Sequence, residues 1–364
     1  MKIKEILSHL EAKFPLYLQE DFDNSGIQCG DKEQEVTGVL VCFDPSPEVL
    51  EEAKEKGANL IISHHPLVFT GLKKIEPVDR IGRIIFKAIE NKQVMYAMHT
   101  NMDSAAGGGN DLFAQKLGLT NCEVLSPKDS LYQKVIFFIP ENESAPLKNA
   151  LFAIGCGCIG RYDHCSYQMT GFGSFRPLQG AQPHTGQVNN MELIEEERVE
   201  MIFPANLQRR VIDTIYKYHL YEEPAFDIVK LENKERKAGL GRVGFLPQAM
   251  DALQFLEYVK KQMDVNLIRY SGNMDKKIKK VAVCGGGGSS LIQVALRSGA
   301  DAYVTGDIKY HDFYTPEERM MIADIGHFEG EHFIREIIYN EIKGNFITFA
   351  TSLSTVEKLK IYNI

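Results

Sequence analysis

Two adjacent histidines, His64 and His65, follow a run of apolar residues that predicts a β-strand, NLIISHHP. Neighbouring side chains on a strand point to opposite faces of the sheet. Where the strand ends, both imidazoles can turn into one cavity and contact two different ions. Pro66 fixes the backbone directly afterwards. Taken alone, these residues are as compatible with a packing or surface role as with a metal site.

Two further clusters combine histidine with a carboxylate. His99 and Asp103 follow another predicted strand, in the segment HTNMD. His327 and Glu331 open a predicted helix in the segment GHFEGEH, where they lie one turn apart on the same face. A single pair of this kind is common by chance and needs no function on a surface helix. Three clusters of histidine and carboxylate in one chain are much less frequent by chance.

Together the three clusters predict a pair of divalent metal ions. An imidazole serves one ion whereas a carboxylate can bridge two, so Glu331 is the natural bridge. Histidine and carboxylate ligands without a thiolate suit Zn, Mn, Fe or Mg, and the ligand types do not choose among these metals. The predicted ligands are His64, His65, Asp103, His327 and Glu331.

The segments that carry these residues alternate between strand and helix, first near the N-terminus and again near the C-terminus. Predicted strands cover 36–44, 59–66, 93–103, 279–288, 300–307 and 340–351, and predicted helices cover 47–56, 79–91 and 289–299, after an amphipathic N-terminal helix. This alternation predicts an α/β fold with a mainly parallel sheet. Parallel strands end at one edge, which would collect His64, His65, Asp103 and Asp307.

The middle of the chain has a different order of elements. From Tyr132 to Asn233 the pattern predicts β-α-β-β-α-β, which is typical of a ferredoxin-like α+β domain of about 100 residues. Alternation of strand and helix resumes afterwards, so this segment interrupts the α/β domain. The predicted organisation is a two-part α/β domain at 1–129 and 234–364, with an insert at 130–233.

Several segments resemble the signature blocks of the Nif-three-like family, which includes proteins called GTP cyclohydrolase I type 2 homologs. A further segment resembles the signature of a PII/CutA-like insert found in the longer members. The blocks are DNSGIQCG (23–30), LIISHHPLVF (60–69), HTNMDSAAGGGND (99–111), YVTGDIKYHDF (303–313) and GHFEGE (326–331), and the insert segment is GCGCIGRYDHCSYQMTGFGSFRP (155–177).

The resemblance implies a dinuclear metal centre on the predicted ligands. One ion would be held by His65 and Asp103 and the other by His64 and His327, with Glu331 shared. The resemblance also implies a homohexamer, often a ring with the metal sites facing an internal cavity. It identifies the insert as PII/CutA-like and implies hydrolysis of a guanine nucleotide.

The composition of the 364 residues limits the classes of function. Hydrophobic residues make up 44% and charged residues 25%, as in ordinary soluble globular proteins. The net charge of −8 makes a nucleic-acid partner unfavourable, although it does not exclude a local basic patch. No apolar run approaches the roughly 18 residues of a membrane span. The N-terminus lacks the pattern of a signal peptide, so we expect a cytoplasmic protein whose seven cysteines are thiols.

The leading functional hypothesis is a metal-dependent hydrolase that acts on a small molecule. The candidate catalytic bases are His99, four residues before Asp103, and His311, which lies close to Asp307 in the segment GDIKYHD. A structural role for His99 is about equally compatible with its position. The rival hypothesis is a non-catalytic hexameric scaffold that binds metal or regulates a partner.

Overall fold

The computed structural model describes residues 1–129, 131–233 and 235–357. The chain forms two compact units, one made of Met1–Lys128 with Arg236–Ile364 and the other of Asp129–Glu235. Positions 130 and 234, on which the predicted boundaries of the insert fall, lie outside the described residues, as do positions 358–364. The first unit carries every predicted metal ligand.

The strands are numbered along the chain. They are β1 Gly26–Cys29, β2 Gly38–Cys42, β3 Leu60–Ser63, β4 Val94–Ala97, β5 Thr120–Lys128, β6 Tyr132–Ile139, β7 Tyr167–Phe175, β8 Glu192–Pro204, β9 Phe226–Lys230, β10 Glu235–Asp251, β11 Arg269–Ser271, β12 Lys277–Gly287, β13 Ala302–Gly306, β14 Met321–Asp324 and β15 Ala350–Leu353. Every residue of β2, β3 and β4 is buried, as the continuous apolar runs of a sheet covered on both faces predict.

The helices are numbered in the same way. They are α1 Ile3–Lys13, α2 Pro47–Glu55, α3 Arg80–Glu90, α4 Thr100–Ser104, α5 Gly109–Lys116, α6 Ser144–Ala153, α7 Gln208–Tyr218, α8 Ala252–Met263, α9 Ile292–Arg297, α10 His327–Glu331 and α11 Ile334–Asn345. The predicted N-terminal helix is confirmed by α1, which buries Ile3, Ile6, Leu7 and Leu10. In the part of the chain that the structure describes, no helix is long and apolar enough to cross a membrane.

Side chains at the helix starts explain where α2 and α3 begin. The Ser46 hydroxyl accepts a hydrogen bond from the Val49 N–H, and Pro47 occupies the first helical position, where its missing N–H costs nothing. The Asp79 carboxylate accepts a hydrogen bond from the Gly82 N–H at 2.7 Å. These N-cap hydrogen bonds therefore determine the residues at which the two helices begin.

The first unit contains two sheets whose central strands run parallel. One sheet has the order β1-β4-β3-β2-β15, in which β4, β3, β2 and β15 are parallel to their neighbours and β1 is antiparallel. The other has the order β11-β14-β13-β12-β10-β5, in which β14, β13 and β12 are parallel. The early strand β5 lies in the second sheet and the late strand β15 in the first. Each half of the split chain thus completes the sheet of the other half.

Two predicted strands were wrong in part. The strand predicted at 93–103 ends at Ala97, and the helix α4 follows, because the Asn101 side chain donates to the Phe14 carbonyl at 2.8 Å and helps hold a turn against the N-terminal segment. The strand predicted at 340–351 begins with helix: α11 continues to Asn345, since Ile334, Ile338 and Ile342 are buried at helical spacing. Only β15 remains of that strand.

The second unit is a single antiparallel sheet with helices. Its elements follow the order β6-α6-β7-β8-α7-β9, and its sheet has the order β7-β8-β6-β9. Residues from α6 and α7 pack with alternate residues of β6 and β8 in one apolar cluster, which includes Val135, Phe137, Leu151, Val199 and Ile215.

Arg242 on β10 holds the loop between α4 and α5. Its guanidinium binds the Asp111 carboxylate through both Nε and Nη2, and it also donates to the carbonyls of Ala105, Gly239 and Gly241. Only 3% of Arg242 is exposed. Arg242 thus connects β10 to Ala105, the residue that follows the helix carrying Asp103.

We predict that Arg242→Met lowers the free energy of unfolding by about 3 kcal/mol, because it leaves a carboxylate and several carbonyls without their donor. The matched control is Lys277→Met, which removes an exposed ion pair with Asp251 at 3.6 Å and should change the free energy by less than about 0.5 kcal/mol. Urea unfolding followed by circular dichroism measures both. Equal effects of the two substitutions would contradict the prediction.

Candidate metal centre

The end of β3 brings His64 and His65 to one place. The His64 N–H lies 3.2 Å from the carbonyls of both Cys42 and Phe43, and the His65 N–H donates to the Phe43 carbonyl at 3.1 Å. The backbone therefore stays beside β2 beyond the last residue of the strand. The two imidazole centroids are 5.0 Å apart. His64 is fully buried and His65 is partly buried.

His327 and Glu331 are delivered by α10, which follows β14. The turn before the helix passes through Gly326 at a φ of +94°, and the Gly326 N–H donates to Asp324 Oδ1 at 3.0 Å. Glu331 Oε2 lies 3.1 Å from His327 Nε2. A Cβ at Gly286 would lie 2.1 Å from Glu331 Oε1, and Gly286 has a φ of +61°. Glycine at this position therefore makes room for the carboxylate.

Asp103 reaches the same place from α4. Its carboxylate is buried, and Gly109 lies so close that a Cβ there would be 3.1 Å from Asp103 Oδ1. The Asn110 amide donates to the Asp103 carbonyl at 3.0 Å and accepts from the Gly285 N–H at 2.9 Å. Asn110 thus connects the Asp103 backbone in α4 to Gly285 at the end of β12, beside Glu331.

The ligand atoms form three overlapping groups, in each of which the atoms lie within 4.8 Å of one another and could hold a metal ion. The groups are His64, Asp103 and Glu331; His65, His327 and Glu331; and His64, His65 and His99. The structure brings all five predicted ligands together. The resemblance implied His65 with Asp103 and His64 with His327, whereas these candidate groups place His64 with Asp103 and His65 with His327.

The imidazoles are held so that Nε2 faces the centre. The Nδ1 atom of His64 lies 2.8 Å from the Met98 carbonyl, that of His65 lies 2.9 Å from Asp44 Oδ1, and that of His327 lies 2.7 Å from Asp307 Oδ2. Such acceptors fix the tautomer and orientation of metal-binding histidines.

Buried donor atoms without hydrogen-bond partners show that the residues fit a metal ion. Among the described residues, neither His64 Nε2 nor Asp103 Oδ1 has a hydrogen-bond partner, and both are inaccessible to solvent. His64 Nε2 lies 3.6 Å from Glu331 Oε2, which is longer than a normal hydrogen bond. Because an unsatisfied buried polar atom is costly, a metal ion coordinated by these atoms would satisfy both of them.

Burial and charge shift the ionisation of the ligands in opposite directions. Burial lowers the pKa of His64 to about 4, so this imidazole is neutral. Burial also opposes the charge on His65, but the hydrogen bond to Asp44 and the nearby Glu331 carboxylate outweigh it and raise the pKa to about 10. In His327, burial is again outweighed, here by Glu331 and Asp307, and the pKa rises to about 9.

The two carboxylic acids also differ. Burial raises the pKa of Asp103 well above its usual range, and the negative charge of Glu331 adds to this effect. Burial opposes the charge on Glu331 as well, but the surrounding imidazoles, with His327 the nearest, outweigh it and lower the pKa well below the usual range. Glu331 is therefore the permanent negative charge of the cluster.

His99 lies at the rim of the same cluster. Its Nδ1 is 2.7 Å from Asp23 Oδ1, and its ring centroid is 5.3 Å from those of both His64 and His65. Asp23 Oδ2 accepts from the Thr100 N–H at 3.0 Å and from a nearby serine hydroxyl. Burial opposes the charge on Asp23, but the hydrogen bond from His99 outweighs it and lowers the Asp23 pKa. His99 is thus a ring oriented by a buried carboxylate.

His311 is not one of the clustered residues. It is exposed in the 3-10 turn Tyr310–Tyr314, with its ring centroid 5.2 Å from that of Tyr310, and it belongs to none of the groups formed by the described residues. Asp307, predicted as its companion, instead contacts His327. The sequence analysis missed Asp44, although its position just after β2, at the edge where parallel strands end, was a usable signal.

A cleft of about 1720 Å³ opens beside the cluster. Among its lining residues are His65 and His327 with their carboxylate partners Asp44 and Asp307, and Phe328. Neither His64 nor Asp103 lines it. His65 and His327 are therefore accessible to a small molecule in this cleft, whereas His64 and Asp103 are buried.

Comparisons with known proteins find similarity over nearly the whole chain. The family model Duf34/NIF3 (NGG1p interacting factor 3) matches residues 1–358. A Bacillus subtilis protein named GTP cyclohydrolase 1 type 2 homolog is 40% identical over 331 residues, which cover 89% of this chain and 88% of that protein. A protein of the same name from Halalkalibacterium halodurans is 39% identical over 328 residues, covering 88% and 87%.

Solved structures show the same similarity. A Bacillus cereus protein related to NIF3 is 38% identical and superposes with a TM-score of 0.77, covering 100% of this chain and 99% of that one. A Staphylococcus aureus protein is 30% identical with a TM-score of 0.78 and the same coverage. The mixed α/β fold is thus shared with relatives along its full length.

We predict that metal uptake at pH 7 releases at least one proton per chain, because metal ions bind neutral imidazoles. His65 and His327 have raised pKa values, about 10 and about 9, so at least one of the two imidazoles is protonated at pH 7 in the metal-free protein. Affinity should therefore increase as the pH rises toward these values. Calorimetric titration with Zn²⁺ in buffers of different ionisation enthalpy measures the protons released. Uptake without proton release would contradict the prediction.

Proposed function

The chain belongs to the Duf34/NIF3 family, and from this membership and the geometry of the cluster we propose that it is a dinuclear metal-dependent hydrolase. The observation that carries the proposal is the pair of ligand groups that share Glu331, namely His64 with Asp103 and His65 with His327. Each group supplies three donor atoms, which leaves coordination positions for a water molecule or a substrate.

The ligands are nitrogen and oxygen donors without a thiolate, so Zn, Mn, Fe and Mg all remain candidates. When bound, such ions supply Lewis acidity, which polarises a substrate oxygen and lowers the pKa of a water molecule. The protein's own contribution is to hold the imidazoles by Nδ1 and to keep Glu331 ionised between them.

His99 is the proposed catalytic base. Its Nδ1 is held by Asp23, so Nε2 is the atom that would accept a proton beside the cluster. A carboxylate that orients an imidazole in this way also stabilises the imidazolium that proton transfer creates. His311 stays a prediction as the alternative base, although it is exposed and belongs to none of the ligand groups found among the described residues.

The proposed substrate is a small molecule that enters the cleft beside His65 and His327. The name of the relatives, GTP cyclohydrolase 1 type 2 homolog, suggests a guanine nucleotide. The donor set suits hydrolysis of a phosphoester or an amide equally well, so all three substrate classes belong in the test. Nucleic acid is unfavoured by the net charge of −8.

The wider organisation is also a proposal. We regard Asp129–Glu235 as a ferredoxin-like insert of the PII/CutA type, which is supported by its β-α-β-β-α-β order and by the sheet order β7-β8-β6-β9. A homohexameric ring in the cytoplasm follows from the family resemblance. Size-exclusion chromatography with light scattering tests the hexamer.

We predict that His99→Gln lowers kcat by about 100-fold or more while the metal content stays that of the wild type, because it removes a proton acceptor and no proposed ligand. Glu331→Gln should bind neither ion, since it removes the shared charge. His311→Ala is the matched comparison and should keep its activity. Metal analysis and steady-state kinetics on each variant measure these effects.

These measurements distinguish between the possible roles of His99 and His311. Loss of metal in His99→Gln would make His99 a ligand instead of a base, and loss of activity in His311→Ala would move the base to His311. The metal-replete wild type is first assayed against GTP, phosphoesters and amides. If it binds two ions but turns over none of these substrates, the hydrolase proposal is replaced by the non-catalytic metal-binding scaffold.

A further inference from the structure

The Glu357 carboxylate lies against the end of β2. Its Oε1 accepts from the N–H groups of both Phe43 and Asp44, at 2.6 and 2.7 Å, and its Oε2 accepts from Arg335 Nη1 at 2.9 Å. Only 7% of the side chain is exposed. A charged group held by three donors and nearly removed from water is costly to place unless the contacts are specific.

The same two residues of the β2 end position His65. The Phe43 carbonyl accepts from the His65 N–H at 3.1 Å, and the Phe43 ring centroid lies 4.5 Å from that of His65. Asp44 Oδ1 lies 2.9 Å from His65 Nδ1. The backbone, the ring face and the Nδ1 atom of His65 therefore all contact the dipeptide that Glu357 fixes.

We propose that Glu357 is a positioning residue for the metal centre, acting on His65 through Phe43 and Asp44. By holding both amides, Glu357 fixes the direction in which the Asp44 carboxylate projects, and Asp44 in turn orients the imidazole. Arg335, which holds the other oxygen of Glu357, lies on α11 just after the helix that carries Glu331. The inference rests on the proposed function, because it treats His65 as a metal ligand.

A second buried carboxylate, Glu52, provides a control that distinguishes positioning of His65 from simple anchoring of the segment that carries Glu357. Glu52, 5% exposed, accepts from the Ser354 hydroxyl at 2.6 Å and from the Thr355 N–H and hydroxyl at 3.0 and 2.8 Å. Glu52 thus anchors the same segment as Glu357. Within the described part of the chain, none of its hydrogen bonds reaches Phe43 or Asp44. Glu52→Gln is therefore a matched control.

The experiment titrates metal-free wild type, Glu357→Gln and Glu52→Gln with Co²⁺ and follows the visible absorption of the bound ion. In Glu357→Gln we expect one of the two ions to bind about tenfold more weakly, with an altered spectrum, as for other residues that orient a ligand. The second ion should bind as in the wild type. Glu52→Gln should lower the melting temperature but keep both affinities. Should Glu357→Gln fail to fold, Glu357→Asp is measured instead, since its shorter side chain keeps the charge but not both amide contacts.

Two results would overturn the proposal: unchanged binding of both ions in Glu357→Gln, or an equal loss in Glu52→Gln. A wild type that takes up no ion would refute the proposed metal centre instead. In that case the ¹⁵N signals of His65 in the metal-free proteins decide the positioning role. A change at Nδ1 in Glu357→Gln but not in Glu52→Gln supports it, and identical signals in all three proteins refute it.

Discussion

The Glu331 carboxylate lies among three imidazoles, with its Oε2 atom 3.1, 3.5 and 3.6 Å from the Nε2 atoms of His327, His65 and His64. Only 4% of Glu331 is exposed. An ionised carboxylate removed from water costs several kcal/mol unless cationic or hydrogen-bonding groups surround it. The imidazoles come from two different sheets, so the ionised state of Glu331 can be maintained only where the carboxyl edges of both sheets meet.

The need to bring both sheet edges together is met by a chain whose two halves exchange strands. The exchange of β5 and β15 between the sheets fixes each half against the other. Asn110 joins the Asp103 carbonyl to the Gly285 N–H, and Arg242 holds the loop before α5. Glycine at 286 leaves the space that Glu331 occupies. The strand exchange and the contacts of Asn110 and Arg242 hold the two halves together, as a cluster with ligands from both sheet edges needs.

Patterns of neighbouring residues predicted the features that depend on local sequence, namely individual strands and the side chains at their ends. The apolar runs identified β2 and β3, and residue type together with strand ends identified five side chains that the structure brings together. The patterns failed where a distant contact decides. Asn101 turns the backbone by bonding to Phe14, and the grouping of His64 with Asp103 joins side chains from two separate elements, the end of β3 and α4. Glu357 lies more than 300 residues from the amides it holds, so no spacing rule could reveal it.

The two ligand groups are chemically unequal, and this bears on which ion would meet a substrate. His64 and Asp103 are sealed in the core, and the acceptor for His64 Nδ1 is a neutral carbonyl. His65 and His327 line the cleft, and their Nδ1 acceptors are carboxylates, which make the imidazoles more basic ligands. On the proposed function, the sealed group would retain its ion while the open group faces the substrate. The series of contacts from Glu357 through Asp44 ends on His65, which belongs to the open group. Glu357 would therefore act on the ligand group that faces the substrate, where the orientation of a ligand matters for the chemistry.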